Sequence, residues 1–165
     1  MFIHEMTEIE CREALRDADV ARLACSNNNQ PYIVPISFVL DREYIYSFAT
    51  DGQKIEWMRA NPSVCIEVDR RDAYDRWHSV IVFGHYEELP DLLEFEAARS
   101  HAYSLLSESV TWWEPAAVGV SHRDSAHSMV PIVYRIRIEH MTGHRASPDT
   151  IQLEKPHPHH WWSRS

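Results

Sequence analysis

The chain has 165 residues and a mass of 19.3 kDa, and its 44% apolar and 25% charged composition is that of one globular domain. Its net charge of −9 works against binding to a phosphate backbone, so nucleic acid is not an expected partner. No run of about 18 apolar residues occurs, and the start MFIHEMTEIECRE lacks a cationic-then-apolar leader, so no membrane partner is expected and a cytoplasmic location is.

Thr7 with Glu10 is a capping box, and Cys11, Ala14, Leu15 and Ala18 follow at helical spacing, which predicts a helix over 8–18. Val20–Ser26 reads as a strand, then an Asn27-Asn28-Asn29 turn, then a run Pro31–Leu40 with Tyr32, Val34, Ile36, Phe38 and Leu40 on one face. Asp41-Arg42 turns the chain into Glu43–Thr50, where Tyr44, Tyr46 and Phe48 alternate. After Asp51-Gly52, Gln53–Asn61 reads as a short helix with Ile55 and Met58 inward, ended by Asn61-Pro62.

Ser63–Asp69 is the next strand, Arg70–Arg76 a charged turn or bulged loop, and Trp77–Leu89 a long strand whose Gly84 marks a bulge or a barrel corner. Pro90 opens a helix carrying Leu92, Phe95, Arg99, Ala102 and Leu106. Residues 107–129 read as loop, and Val130–Glu139 closes the set with Ile132, Tyr134, Ile136 and Ile138 alternating. Six strands, three helices and short hairpin links predict a closed or nearly closed antiparallel barrel with helices outside. One domain over 1–147 and a Pro- and His-containing tail over 148–165 are expected.

Cys11, Cys25 and Cys65 are odd in number and widely spaced, which suits buried reduced thiols. The glycines at 52, 84, 119 and 143 cannot assemble a GxGxxG or triphosphate loop, so a phosphate would have to be gripped another way. The informative stretch is YIYSFATDGQKIEWMRANP. A strand ends in Ser47, Ala49 and Thr50, turns, and enters a helix whose first turn holds Gln53 and Lys54. A helix start offers unpaired N–H groups and the positive end of the dipole, an anion site to which Lys54 adds a full charge. A solvated surface lysine beside a turn is the alternative.

Trp112 and Trp113 are adjacent, so either one of them packs at an interface or over a ring, or the pair plugs a barrel end. Trp57 and Trp77 read as packing residues. His157, His159 and His160 fall in a proline-broken stretch, with His140 and His144 upstream, and no metal site is expected. Glu87 and Glu88 alternate faces on a strand and cannot serve one site together.

The order strand–turn–GQK–helix–ANP–strand, preceded by QPYIVPISFVLD and followed by WHSVIVFGHYEEL, resembles the pyridoxamine 5'-phosphate oxidase-like split-barrel flavoproteins. The likeness is nearest to their 5-nitroimidazole-resistance-like, flavin-nucleotide-binding branch and spans about residues 5–145. It implies a mainly β fold with peripheral helices, a six-stranded antiparallel split β-barrel, and a homodimer with FMN at the subunit interface. By position, Gln53 and Lys54 would meet the FMN phosphate, with Ser47, Phe48, Ala49 and Thr50 around the phosphate and ribityl chain. The Pro35-Ile36-Ser37 backbone would lie along the isoalloxazine ring. In such a dimer, a 107–129 loop reaching across would bring Trp112 or Trp113 over the partner's flavin.

Two departures limit what carries over. Ser47 stands where the nitroimidazole reductases have a histidine, and Gln53 where the pyridoxamine-phosphate oxidases have an arginine. Neither nitroimidazole reduction nor pyridoxal-phosphate synthesis is therefore implied. The expected function is an FMN-dependent oxidoreductase acting on an unidentified small molecule, with no catalytic residue singled out. The alternatives are a non-catalytic flavin- or haem-binding protein with the same cleft, and a dimeric scaffold with none bound.

Overall fold

The computed structural model describes residues 1–108 and 131–148. In chain order these residues form β1 (Phe2–Glu5), α1 (Glu8–Arg16), β2 (Val20–Asn27), β3 (Gln30–Ser37), β4 (Val39–Asp41), β5 (Tyr44–Ala49) and α2 (Gln53–Ala60). Then come β6 (Ser63–Ala73), β7 (Arg76–Glu88), a 3-10 turn at Leu93–Phe95, α3 (Glu96–Ser107) and β8 (Ile132–Ser147). The strands pair antiparallel in the order β3-β2-β6-β7-β8-β5-β4, with β1 added beside β8. β3 and β4 are consecutive in the chain yet lie at opposite ends of this path. The sheet is open between them, which makes the fold a split barrel.

Local chemistry explains the joints. Asn27 pairs with Gln30, leaving Asn28 and Asn29 in the turn at φ 49° and 65°, a left-handed pair that asparagine tolerates and that matches strand twist. Thr7 and Glu10 complete the expected capping box: Glu10 Oε2 accepts from the Thr7 amide at 2.8 Å and Thr7 Oγ1 from the Glu10 amide at 3.3 Å. Inward residues such as Leu23, Ile36, Ile45, Ile66, Val80 and Ile136 fill the barrel, and Ile55 and Met58 of α2 join them. Each such side chain contributes about 1.5–3 kcal/mol on burial. A second cluster, Tyr46, Leu89, Ala102, Leu106 and Val133, forms where α3 covers the outer face of β5 and β8.

The described residues form eight strands where the sequence predicts six. β1 has no buried face, since Phe2 and Ile3 are exposed, so apolar alternation gives no signal for it. The run Pro31–Leu40 breaks at Phe38, whose side chain is buried while the backbone crosses from one edge of the sheet to the other. Arg70–Arg76 is mostly ladder: β6 and β7 pair out to Ala73 and Arg76, with a shift between Arg71 and Ala73. β8 runs on to Ser147, past an extra residue, Glu139, opposite the Phe83/Gly84 step, which inverts the alternation beyond it. Gly84 does sit at a bulge. Pro90 does not open the helix; Leu92 is extended, and α3 starts only at Glu96. No helix among the described residues is long and apolar enough to cross a membrane.

Candidate functional site

β5 delivers the chain to an exposed Thr50-Asp51-Gly52 turn, from which α2 begins. Gly52 is the N-cap, in extended backbone at φ 166°, and no side chain caps the helix. The bond from the Glu56 amide to the Gly52 carbonyl, 3.0 Å, begins the ladder, so the amides of Gln53, Lys54 and Ile55 precede it. A Cβ built on Gly52 would meet nothing within 4 Å, so space is open at the N-cap. Lys54 is half-buried, and its charge opposes the upward push that burial gives the Cys25 thiol of β2. Backbone donors, helix dipole and ammonium together suit an anion.

α2 is fixed at several points. Ile55 and Met58 are buried, and Trp57 packs its ring 5.5 Å from that of Tyr32 on β3. At its end, Asn61 Nδ2 donates to the Ser26 carbonyl at 3.1 Å and to Ser26 Oγ at 3.2 Å.

β3 is an edge strand. Pro31 and Pro35 have no N–H and belong where the backbone faces away from β2, so Ile33 and Ser37, of the same parity, face that way too. The Ser37 carbonyl accepts a 2.7 Å bond from Ser47 Oγ on β5, and the two residues are only 3% and 1% exposed. This bond spans the split.

Of the residues expected from the sequence, Thr50, Gln53 and Lys54 gather at the start of α2, and Ser37 and Ser47 touch each other. Ile36 and Ala49 turn their side chains into the core, and Phe48 packs with the α3 cluster. The side chains of Ile36, Phe48 and Ala49 are thus engaged in packing. Pro35 is exposed on the edge strand. Trp112, Trp113 and the tail histidines lie outside the described residues.

One group escaped the sequence reading. Arg59, on the last turn of α2, forks onto Glu88 of β7 with Nε at 2.7 Å and Nη2 at 2.8 Å, and its Nη1 lies 3.4 Å from Asp51 Oδ1. Tyr86 donates its hydroxyl to the same Glu88 carboxylate at 2.9 Å. Glu87, on the opposite face, serves Arg135 and Arg137 instead, as strand alternation requires. The partners are 29 residues apart, so no local spacing announces the pair.

The Arg59 fork holds the Glu88 carboxyl below its ordinary 4.5, with the Tyr86 hydroxyl adding to the effect and burial opposing it. A depressed acid stabilises the fold above its unfolded value and loses that contribution as pH falls through the folded one. Glu88→Gln should therefore lower the melting temperature by a constant amount above about pH 5, and the gap should close below pH 4.5. Melts of both proteins across that range provide the check, and a gap that widens in acid contradicts it.

A family model for pyridoxamine 5'-phosphate oxidase matches residues 7–145. The chain belongs to the pyridoxamine 5'-phosphate oxidase family. The matched span runs from the capping Thr7 into the far end of β8 and takes in every described residue of the site. An uncharacterized protein of Rhizobium meliloti strain 1021 is 37% identical over 146 residues, 88% of this chain and 97% of its own length. The crystal structure of a FAD-binding protein from Mesorhizobium loti is 38% identical, with a TM-score of 0.72 over 90% of this chain and 99% of that one. A candidate 5-nitroimidazole antibiotic resistance protein from Bacteroides thetaiotaomicron, 18% identical, shares the fold at a TM-score of 0.65 over 88% and 89% of the two chains.

Proposed function

We propose that this family member is a flavin-binding oxidoreductase acting on a small molecule, with FMN held at the interface of a homodimer. The uncapped start of α2 carries the reading: open space at Gly52, first-turn amides and the Lys54 ammonium fit a phosphate ester. The FAD-binding relative, 38% identical over 90% of the chain, supports a flavin as the group attached to that phosphate. Gln53 and Lys54 would hold the phosphate, and the edge backbone of Pro35-Ile36-Ser37 would orient the ring. Bound flavin supplies the hydride-accepting chemistry. Ser47 keeps the Ser37 carbonyl in place across the split, so the wall offered to the ring is fixed before a ligand arrives.

A second copy suits the outer face of the sheet. Cross-strand pairing lines up Ile33, Ala24, Cys65, Phe83 and His140 in one row, with Ile33 60% and Phe83 38% exposed. An apolar row that begins on the edge strand of the candidate site is the kind of surface a protomer covers. Sedimentation followed at the flavin's visible band tests the whole reading. A coloured species of about twice 19.3 kDa is expected, and Ile33→Asp should shift it to a colourless monomer. A protein that takes up none of riboflavin, FMN and FAD overturns the flavin, and a Soret band reassigns the cleft to haem. Steady oxidation of reduced nicotinamide with an acceptor separates an oxidoreductase from a carrier.

A further inference from the structure

We infer that Arg59 is a positioning residue of the anion site, tying the Asp51-Gly52 turn to the barrel through Glu88. This rests on the reading that the start of α2 holds a flavin phosphate. Tyr86 is buried, with its ring 5.4 Å from that of Tyr134, so its hydroxyl anchors Glu88 from the core side. Glu88 in turn engages two arms of the guanidinium at 2.7 and 2.8 Å, leaving Nη1 directed at Asp51 Oδ1. A planar fork already fixed by one carboxylate has surrendered most of its side-chain freedom, so holding a second group costs little more. The turn itself has no side-chain cap on the helix it precedes.

The charges point the same way. Asp51 lies one residue before the N-cap, where a lone carboxylate would oppose an incoming phosphate. The guanidinium beside it, shared with Glu88, offsets part of that charge. Asp51 and Arg59 are 66% and 44% exposed, and a pair in that much water adds little to global stability. Its effect is local, on where the turn and the first-turn amides sit.

The test compares FMN with riboflavin, which lacks the phosphate, by binding to apoprotein of wild type, Asp51→Asn, Arg59→Lys, Arg59→Met and Lys54→Ala. Arg59→Met should weaken FMN about fivefold to tenfold relative to riboflavin. Arg59→Lys, which keeps the charge but cannot fork onto Glu88 and reach Asp51 together, should weaken it about threefold. Asp51→Asn decides between geometry and charge. If the tie positions the turn, FMN weakens about threefold; if Asp51 only repels, FMN binds more tightly. Tighter FMN binding in Asp51→Asn, or an FMN-to-riboflavin ratio unmoved by Arg59→Met, overturns the inference while a selective loss in Lys54→Ala leaves the phosphate site standing. Lys54→Ala without selective loss removes the phosphate site, and the role of Arg59 with it. Asp51 is solvent-exposed, so its variant reports even if the Arg59 variants fold poorly.

Discussion

Lys54→Ala is expected to weaken FMN at least tenfold and to leave riboflavin binding nearly unchanged. Charge-assisted hydrogen bonds to phosphate contribute about 1.5–3 kcal/mol, and about 1.4 kcal/mol corresponds to a factor of ten. The site concentrates that contribution in few groups. Gln53 beside it is neutral and Asp51 is negative, while the helix contributes partial charges only. Lys54→Arg should retain most of the affinity, because a cation remains on the first turn. Titration of both flavins by fluorescence quenching gives the comparison. Equal losses for FMN and riboflavin would mean that Lys54 supports the fold or the ring instead of the phosphate.

The largest stability loss is expected at Gly84. A Cβ there would stand 2.6 Å from Ile136 Cγ2 and 2.7 Å from the Arg137 carbonyl oxygen. The second neighbour is backbone of β8, and Ile136 is fully buried, so neither can step aside cheaply. Gly84→Ala should cost the upper part of the roughly 1–3 kcal/mol typical of overpacking, about 6–10 °C in melting temperature for a chain this size. Gly143 provides the contrast. Its Cβ would meet the side-chain sulfurs of Cys11 at 2.7 Å and Met6 at 3.0 Å, and methionine can re-pack. Gly143→Ala should therefore lose less than Gly84→Ala, and Gly52→Ala, with open space around it, least of all. Calorimetry of the three variants that reverses this order would contradict the steric account.

What could be read from the sequence follows where the physical signal is local. Tyr44, Tyr46 and Phe48 declare β5 because one face meets α3 while Ile45 and Ser47 meet the barrel interior. Thr7 and Glu10 declare α1 because a capping box lies within four residues. Gln53 and Lys54 stand out because a turn, a glycine and a helix start are punctuation. Features that depend on a distant strand leave no such trace. β1 is recruited by the backbone of β8, the break at Phe38 is imposed by the two sheet edges, and the phase change at Glu139 exists only against β7. The same holds within the site. Neither the Ser47–Ser37 bond nor the Asp51–Arg59–Glu88 chain has a sequence pattern, since each joins groups that only folding brings together.

β8 pairs with β1, β5 and β7 and, among the described strands, is the last to leave the ribosome. Before residues 132–147 emerge, β2, β3, β6 and β7 can already assemble as a half-sheet, and β4 can pair with β5. Until then β7 and β5 each keep an edge without its partner, the kind of edge that recruits other chains. Phe2 pairs with Ser147, so β1 waits for β8. Long-range pairing of this sort slows folding. Production of the protein should therefore depend on how quickly synthesis passes through β8. A chain stopped short of residue 132 lacks the seam on which both halves of the sheet meet.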